Sequence, residues 1–110
     1  MQYLMLIYSN EAEMAAKSPD WHQANMQGYF AFGQHLQSRG IEFGGNALEN
    51  TSTATTVRVV GGKAVTTDGP FAETKEALGG YYLIDCDNLD DALAIAARIP
   101  AAAHGCVEVR

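Results

Sequence analysis

The sequence predicts a single α+β domain, and three observations carry that expectation. Short runs rich in Val, Thr, Ile and Tyr alternate with two stretches whose apolar residues recur at helical spacing. Each helical stretch opens on a capping residue and closes on Gly or Pro. Between the helices, Gly61-Gly62 separates two strand-like runs as a two-residue hairpin turn would.

The first strand, Tyr3 to Tyr8, is apolar at every position instead of alternating, the pattern of a strand covered on both faces. A domain of this size covers one face with its own helices. The other face calls for a second sheet, most simply that of a second subunit. Asn10 to Lys17 holds a short extra helical turn. Ser18-Pro19-Asp20 then starts a long helix, with Ser as N-cap, Pro in the first position and an acid at the positive end of the dipole. Trp21, Met26, Tyr29, Phe32 and Leu36 are its expected buried face, and Gly40 stops it in a left-handed conformation. Ile41 to Leu48 reads as a strand weakened by Gly44-Gly45. Ala54 to Val60 and Lys63 to Thr67 form the hairpin, and Tyr81 to Asp85 is the next strand. Asn88 caps a second helix with Asp90 and Asp91 in its first turn and Leu89, Ala92, Leu93, Ala96 and Ile99 as its buried stripe. Pro100 ends it, Ala101 to Ala103 connect, and Gly105 to Arg110 is the closing strand. The order β-α-β, hairpin, β-α-β suggests a ferredoxin-like layer with an inserted arm, both helices lying on one face.

Composition narrows the function. At 110 residues, with 47% apolar and 18% charged residues, the chain is long enough to bury a core without staples. A net charge of −6 with seven Lys plus Arg leaves no basic stripe for a phosphate backbone, so no nucleic-acid partner is expected. No apolar run approaches the roughly 20 residues of a membrane span, and the first residues lack the basic and small-residue marks of a signal peptide. No membrane partner is expected and a cytoplasmic location follows. Cys86 and Cys106 sit in strand-like contexts, where cysteine usually acts as a small buried hydrophobe. His22, His35 and His104 show no metal-ligand spacing, and neither Gly pair precedes a helix as a phosphate loop would. Neither a metal nor a cofactor is expected.

The most informative stretch runs from Thr66 to Glu76 and on into Gly79-Gly80-Tyr81-Tyr82. It places a Gly-Pro turn, an aromatic, three carboxylates and a lysine where a plain connection needs only a few polar residues. Asp68 is the candidate for acid/base work, with Phe71 as an apolar wall that would raise a carboxylic pKa. Its alternative is to shape the turn by accepting backbone N–H bonds. Glu73, Lys75 and Glu76 either hold a polar ligand, Lys75 contacting an anion, or form an exposed ion-pair cluster. Arg58, between Val57 and Val59, faces away from both and either binds an anionic substrate or pairs with an acid across a dimer. Tyr29 either donates a hydrogen bond into a site or is a core aromatic with a satisfied hydroxyl.

Thr67-Asp68-Gly69-Pro70-Phe71-Ala72-Glu73-Thr74-Lys75-Glu76 resembles the hallmark of the DGPF subfamily of YCII-related proteins. The likeness extends to Ser52–Arg58, Gly79–Ile84, Ala96–Pro100 and Val107–Arg110, and so covers nearly the whole chain. The resemblance implies a dimeric α/β barrel, in which two ferredoxin-like sheets face each other across a homodimer. Many YCII-related proteins combine a His near the end of the first helix with the Asp of an Asp-Pro-Phe segment. Asp68-Gly69-Pro70-Phe71 is similar to that segment with one glycine inserted, and Tyr29, not His35, falls at the position of the His. Two functions follow as expectations. One is a small cofactor-independent enzyme of lyase, isomerase or hydrolase type, with Asp68 moving a proton on a small organic molecule and Tyr29 orienting it. The other is a non-catalytic ligand-binding or protein-interaction module. DGPF genes often neighbour those of extracytoplasmic-function sigma factors, which implies a link to such a pathway.

Overall fold

Three polar side chains set the helix starts in the computed structural model, which describes Met1–Arg110 throughout. Strand β1 (Gln2–Ser9) runs into Asn10, whose side chain accepts from the Glu13 N–H and caps the short helix α1 (Glu11–Ala15). Ser18 accepts from the Trp21 N–H and caps the long helix α2 (Pro19–Ser38), with proline in its first turn. Gly40, at φ 67°, releases the chain in the left-handed conformation that the sequence calls for. Strand β2 (Phe43–Ala47) follows, then a single 3₁₀ turn over Thr51–Thr53. The arm is β3 (Thr55–Val60) and β4 (Lys63–Asp68), joined by Gly61 and Gly62, both at positive φ as a two-residue hairpin requires. Strand β5 (Ala77–Asp85) and helix α3 (Leu89–Ala96), capped by Asn88 onto the Asp91 N–H, lead through a 3₁₀ turn at Pro100–Ala103 to β6 (Cys106–Val109).

The sheet order is β2-β5-β1-β6, every pair antiparallel, with β3 and β4 as a separate two-stranded sheet. This is a mixed α+β fold whose strand order is compatible with a ferredoxin-like layer carrying a hairpin between its second and third body strands. Met5 and Ile7 of β1 and Ile84 of β5 point to the helical side. There they pack with Phe32 and Leu36 of α2 and with Ala92, Ile95, Ala96 and Ile99 from α3 and the residues after it. Burying each large side chain contributes about 1.5–3 kcal/mol. Tyr82 closes one end of this layer, its ring 5.1 Å from that of Phe32.

Several expectations are corrected here. Strand β5 begins at Ala77, not Tyr81, because Gly79 and Gly80 lie in the sheet, Gly79 as the extra residue of a bulge in β5 opposite the Ile7–Tyr8 step of β1. A side chain on Gly80 would press on the Asn46 carbonyl, so this glycine permits close strand packing and is not a turn residue. Strand β2 is shorter than Ile41 to Leu48. Met26 is 73% exposed, since Tyr29, Phe32 and Leu36 form a stripe that leaves it to one side. The α3 stripe is Ala92, Ile95, Ala96 and Ile99, with Leu89 and Leu93 half exposed. Cys86 is buried as expected, but Cys106 is exposed, facing the side of the sheet that has no helices, opposite Tyr8 in the register.

That side of the sheet carries Leu4, Leu6, Tyr8, Leu78, Tyr81 and Leu83, and none of these is fully buried. The arm is exposed along nearly its whole length, with Val59 at 72%. The radius of gyration is 16.1 Å, against about 13 Å for a compact domain of this size. No helix is long and apolar enough to cross a membrane.

Candidate functional site

The foot of the arm is fixed by four hydrogen bonds. The Gly69 N–H donates to the Ala54 carbonyl at 2.7 Å, and the Thr56 hydroxyl donates to the Gly69 carbonyl at 2.8 Å. These bonds lock the start of the Gly69–Glu76 loop to the start of β3. Gly69 sits at φ 102°, a conformation that side-chain-bearing residues rarely adopt, which explains glycine between Asp68 and Pro70. On the other side, the Glu11 carboxylate accepts from both the backbone N–H (2.8 Å) and the hydroxyl (2.5 Å) of Thr51. Those two bonds hold the Glu11 carboxyl below its ordinary range, the hydroxyl contributing most. They tie the 3₁₀ turn to helix α1.

Between these anchors lies a cavity of about 670 Å³, within the range of small-molecule sites. Tyr8 and Leu78 from the bare sheet face, Leu48 after β2, and Pro70 and Phe71 from the loop give it apolar walls. Thr51, Thr53, Thr55, Thr56 and Thr74 contribute to its polar lining together with Glu49, Asn50 and Glu76. A second cavity, of about 360 Å³, adjoins it across Thr51, Pro70, Ala72, Thr74 and Ala77, and is reached by Glu11 and Glu73. A third, of about 280 Å³, lies elsewhere, between α2 and the β2–β5 pair. Tyr29, Tyr81, Tyr82 and Asn46 line it over a floor of Gly45, Gly79 and Gly80. Burial raises the phenol pKa of Tyr29, with Tyr82 adding to the effect, and burial raises that of Tyr82.

The sequence-level candidates distribute unevenly over this geometry. Phe71 lines the large cavity and Glu73 the adjoining one. Asp68 is the last residue of β4, exposed, and lines none of the three cavities. It is paired in register with Thr55, which does line the large one, so the two side chains leave the ribbon on the same face. Tyr29 belongs to the third cavity, so a single chain does not bring it together with Asp68. Arg58 stands out on the arm and Lys75 in the loop, both exposed and outside all three cavities. No group of three or more His, Cys, Asp or Glu is placed to hold a metal ion.

The model of the YCII-related domain family matches residues 1–110, the full length. The chain belongs to that family. An uncharacterised protein of Rhizobium meliloti (strain 1021) is similar to it, 38% identical over 116 residues that cover all of this chain and 90% of the relative. The match therefore spans the site as well as the fold, and it brings no activity with it. Within this YCII-related chain, Tyr8, Leu48, Leu78, Glu11 and Thr51 are lining residues that reading the sequence missed. Tyr8 was hidden in a strand read as buried on both faces, and Leu78 was lost with the early start of β5. The Glu11 contact spans 40 residues of sequence, and local pattern carries no sign of it.

Proposed function

We propose that the chain is a homodimeric, DGPF-type member of the YCII-related family that binds a small organic molecule in the cavity at the foot of its arm. The observation that carries this reading is the cavity itself. It is the largest of the three concavities, walled by apolar groups and edged by hydroxyls, and it opens beside the loop that bears Asp68-Gly69-Pro70-Phe71. Continuity with the bare sheet face supports the dimer: Tyr8 and Leu78 belong to both, so a second sheet packed on that face would also close the cavity. In one chain Arg58 and Lys75 line neither the large cavity nor the one adjoining it. Unpaired thiols at Cys86 and Cys106 suit a cytoplasmic setting.

Catalysis is the second reading, and the position of Asp68 on the same ribbon face as Thr55 favours it. In that reading Asp68 moves a proton at the cavity rim, without a cofactor, and Tyr29 serves by orienting the layer behind the sheet. Replacing Asp68 with Asn separates the possibilities when folding stability, small-molecule binding and turnover of the bound molecule are all measured. Binding retained with turnover lost supports the enzyme. Both retained leaves a binding module, and stability lost with binding intact reduces Asp68 to a turn residue.

A further inference from the structure

We propose that the cavity at the foot of the arm selects an organic cation, an amine or quaternary ammonium carried on an apolar body. The inference rests on the reading that this cavity binds a small molecule, and adds the charge of that molecule. No Lys, Arg or His lines the cavity, whereas Glu49 and Glu76 do. The adjoining cavity adds Glu11 and Glu73, again without a cation. Glu11 is committed to Thr51, but Glu49, Glu73 and Glu76 take part in none of the chain's ion pairs, which are Met1–Asp85, Arg39–Asp91 and Arg110–Glu108. Lys75, although it sits between the lining residues Thr74 and Glu76, contributes to neither cavity.

The negative field is felt locally. The Cys106 thiol, opposite Tyr8 on the bare face, is raised first by loss of solvent and then by the Glu76 and Glu108 carboxylates. Glu108 already holds Arg110, so that guanidinium is engaged. An anionic ligand would enter among unpaired carboxylates and lose its hydration with no compensating charge. A cation finds Glu49 and Glu76 at the walls and the aromatic side chains of Tyr8 and Phe71 among the lining, residue types that hold ammonium groups. Leu48, Ala54, Pro70 and Leu78 supply the surface against which an apolar body would lie. The net charge of −6 draws cations towards the molecule as a whole.

A matched series tests this: phenethylamine, phenethyl alcohol and hydrocinnamate, titrated by ligand-observed NMR against the wild type, a Glu49→Gln/Glu76→Gln double variant and a cavity-filling Ala72→Trp variant. Ala72 is an exposed loop residue that lines both cavities, so the tryptophan obstructs the site without touching the core. The amine should bind the wild type about tenfold more tightly than the carboxylate. The double variant should erase that preference, and Ala72→Trp should abolish binding of every member. Equal binding of all three, lost in Ala72→Trp, overturns the cation inference and leaves the binding reading standing. Tighter binding of hydrocinnamate that disappears in Arg58→Ala also overturns it, by showing a partner's guanidinium in the site. Binding that survives Ala72→Trp, or no binding by any member, removes the cavity reading and the inference with it.

Discussion

The Glu11 carboxylate takes both hydrogen bonds that Thr51 has to give, and so joins two segments that no regular element connects. Because the bonds favour the ionised form, the folded-state pKa lies below the ordinary value of 4.5. A depressed carboxylate contributes stability that is present above its unfolded pKa and is lost as pH falls through the folded one. Glu11→Gln should therefore cost roughly 1 kcal/mol near neutrality, less than bonds to a charged group usually contribute because the site is partly exposed. The gap between variant and wild type should shrink in urea melts taken below pH 4.5, the ordinary glutamate value. An unchanged gap at acid pH would mean that charge plays no part in the contact. Gly105 is a second residue whose reason appears only in three dimensions. A Cβ there would collide with the Tyr8 carbonyl of the neighbouring strand, so Gly105→Ala should destabilise by about 1–3 kcal/mol despite lying outside the core. Neither residue was legible in the sequence as more than part of a short extra helical turn and the first residue of the closing strand. In both cases the partner comes from a distant part of the chain.

Elements were easier to read than residues, and their errors have one source. The caps at Ser18 and Asn88, the stop at Gly40 and the turn at Gly61-Gly62 are local chemistry, and each stands where the sequence places it. Faces of helices are not local, because they depend on where the sheet lies. Leu89 and Leu93 fit an amphipathic stripe as well as Ile95 does. The structure turns α3 so that Ile95 is fully buried and the two leucines stay half exposed. Thermal or urea unfolding can check that rotation: Ile95→Ala should cost about 2–5 kcal/mol, and Leu93→Ala less than about 1 kcal/mol. Comparable losses at the two positions would put the helix in the other orientation. The same dependence on context hid the start of β5. The sequence reading begins the strand at Tyr81, yet Gly79 is the extra residue of a β5 bulge and the close approach of Asn46 to Gly80 makes glycine the residue that lets strands pack there. With that start misplaced, Leu78 and one wall of the cavity went unseen.

At the scale of the whole molecule, the proposed dimer can be argued from shape. A radius of gyration of 16.1 Å exceeds the compact value of about 13 Å. The excess comes with an arm whose valines at positions 57, 59, 60 and 65 are exposed and a sheet face whose leucines are only partly covered. An unbroken apolar first strand was the clue that this face would need covering, since its Met5 and Ile7 satisfy only the helical side. If a second copy lies there, Leu83 is the residue to test. It is 41% exposed in one chain, pairs with Leu4 near the middle of β1, and lines neither the large cavity nor the one adjoining it. Leu83→Arg would place an unpaired charge between two apolar sheets, the kind of change that dissociates an interface while leaving each subunit folded. Sedimentation velocity should find the wild type as a dimer at micromolar concentration and Leu83→Arg as a monomer with unaltered far-UV circular dichroism. The monomer should also bind phenethylamine more weakly, because Tyr8 and Leu78 would lose the sheet that closes the cavity over them. A wild type that sediments as a folded monomer down to the same dilution, with ligand binding intact, would confine the site to one chain and leave the bare face to some other use.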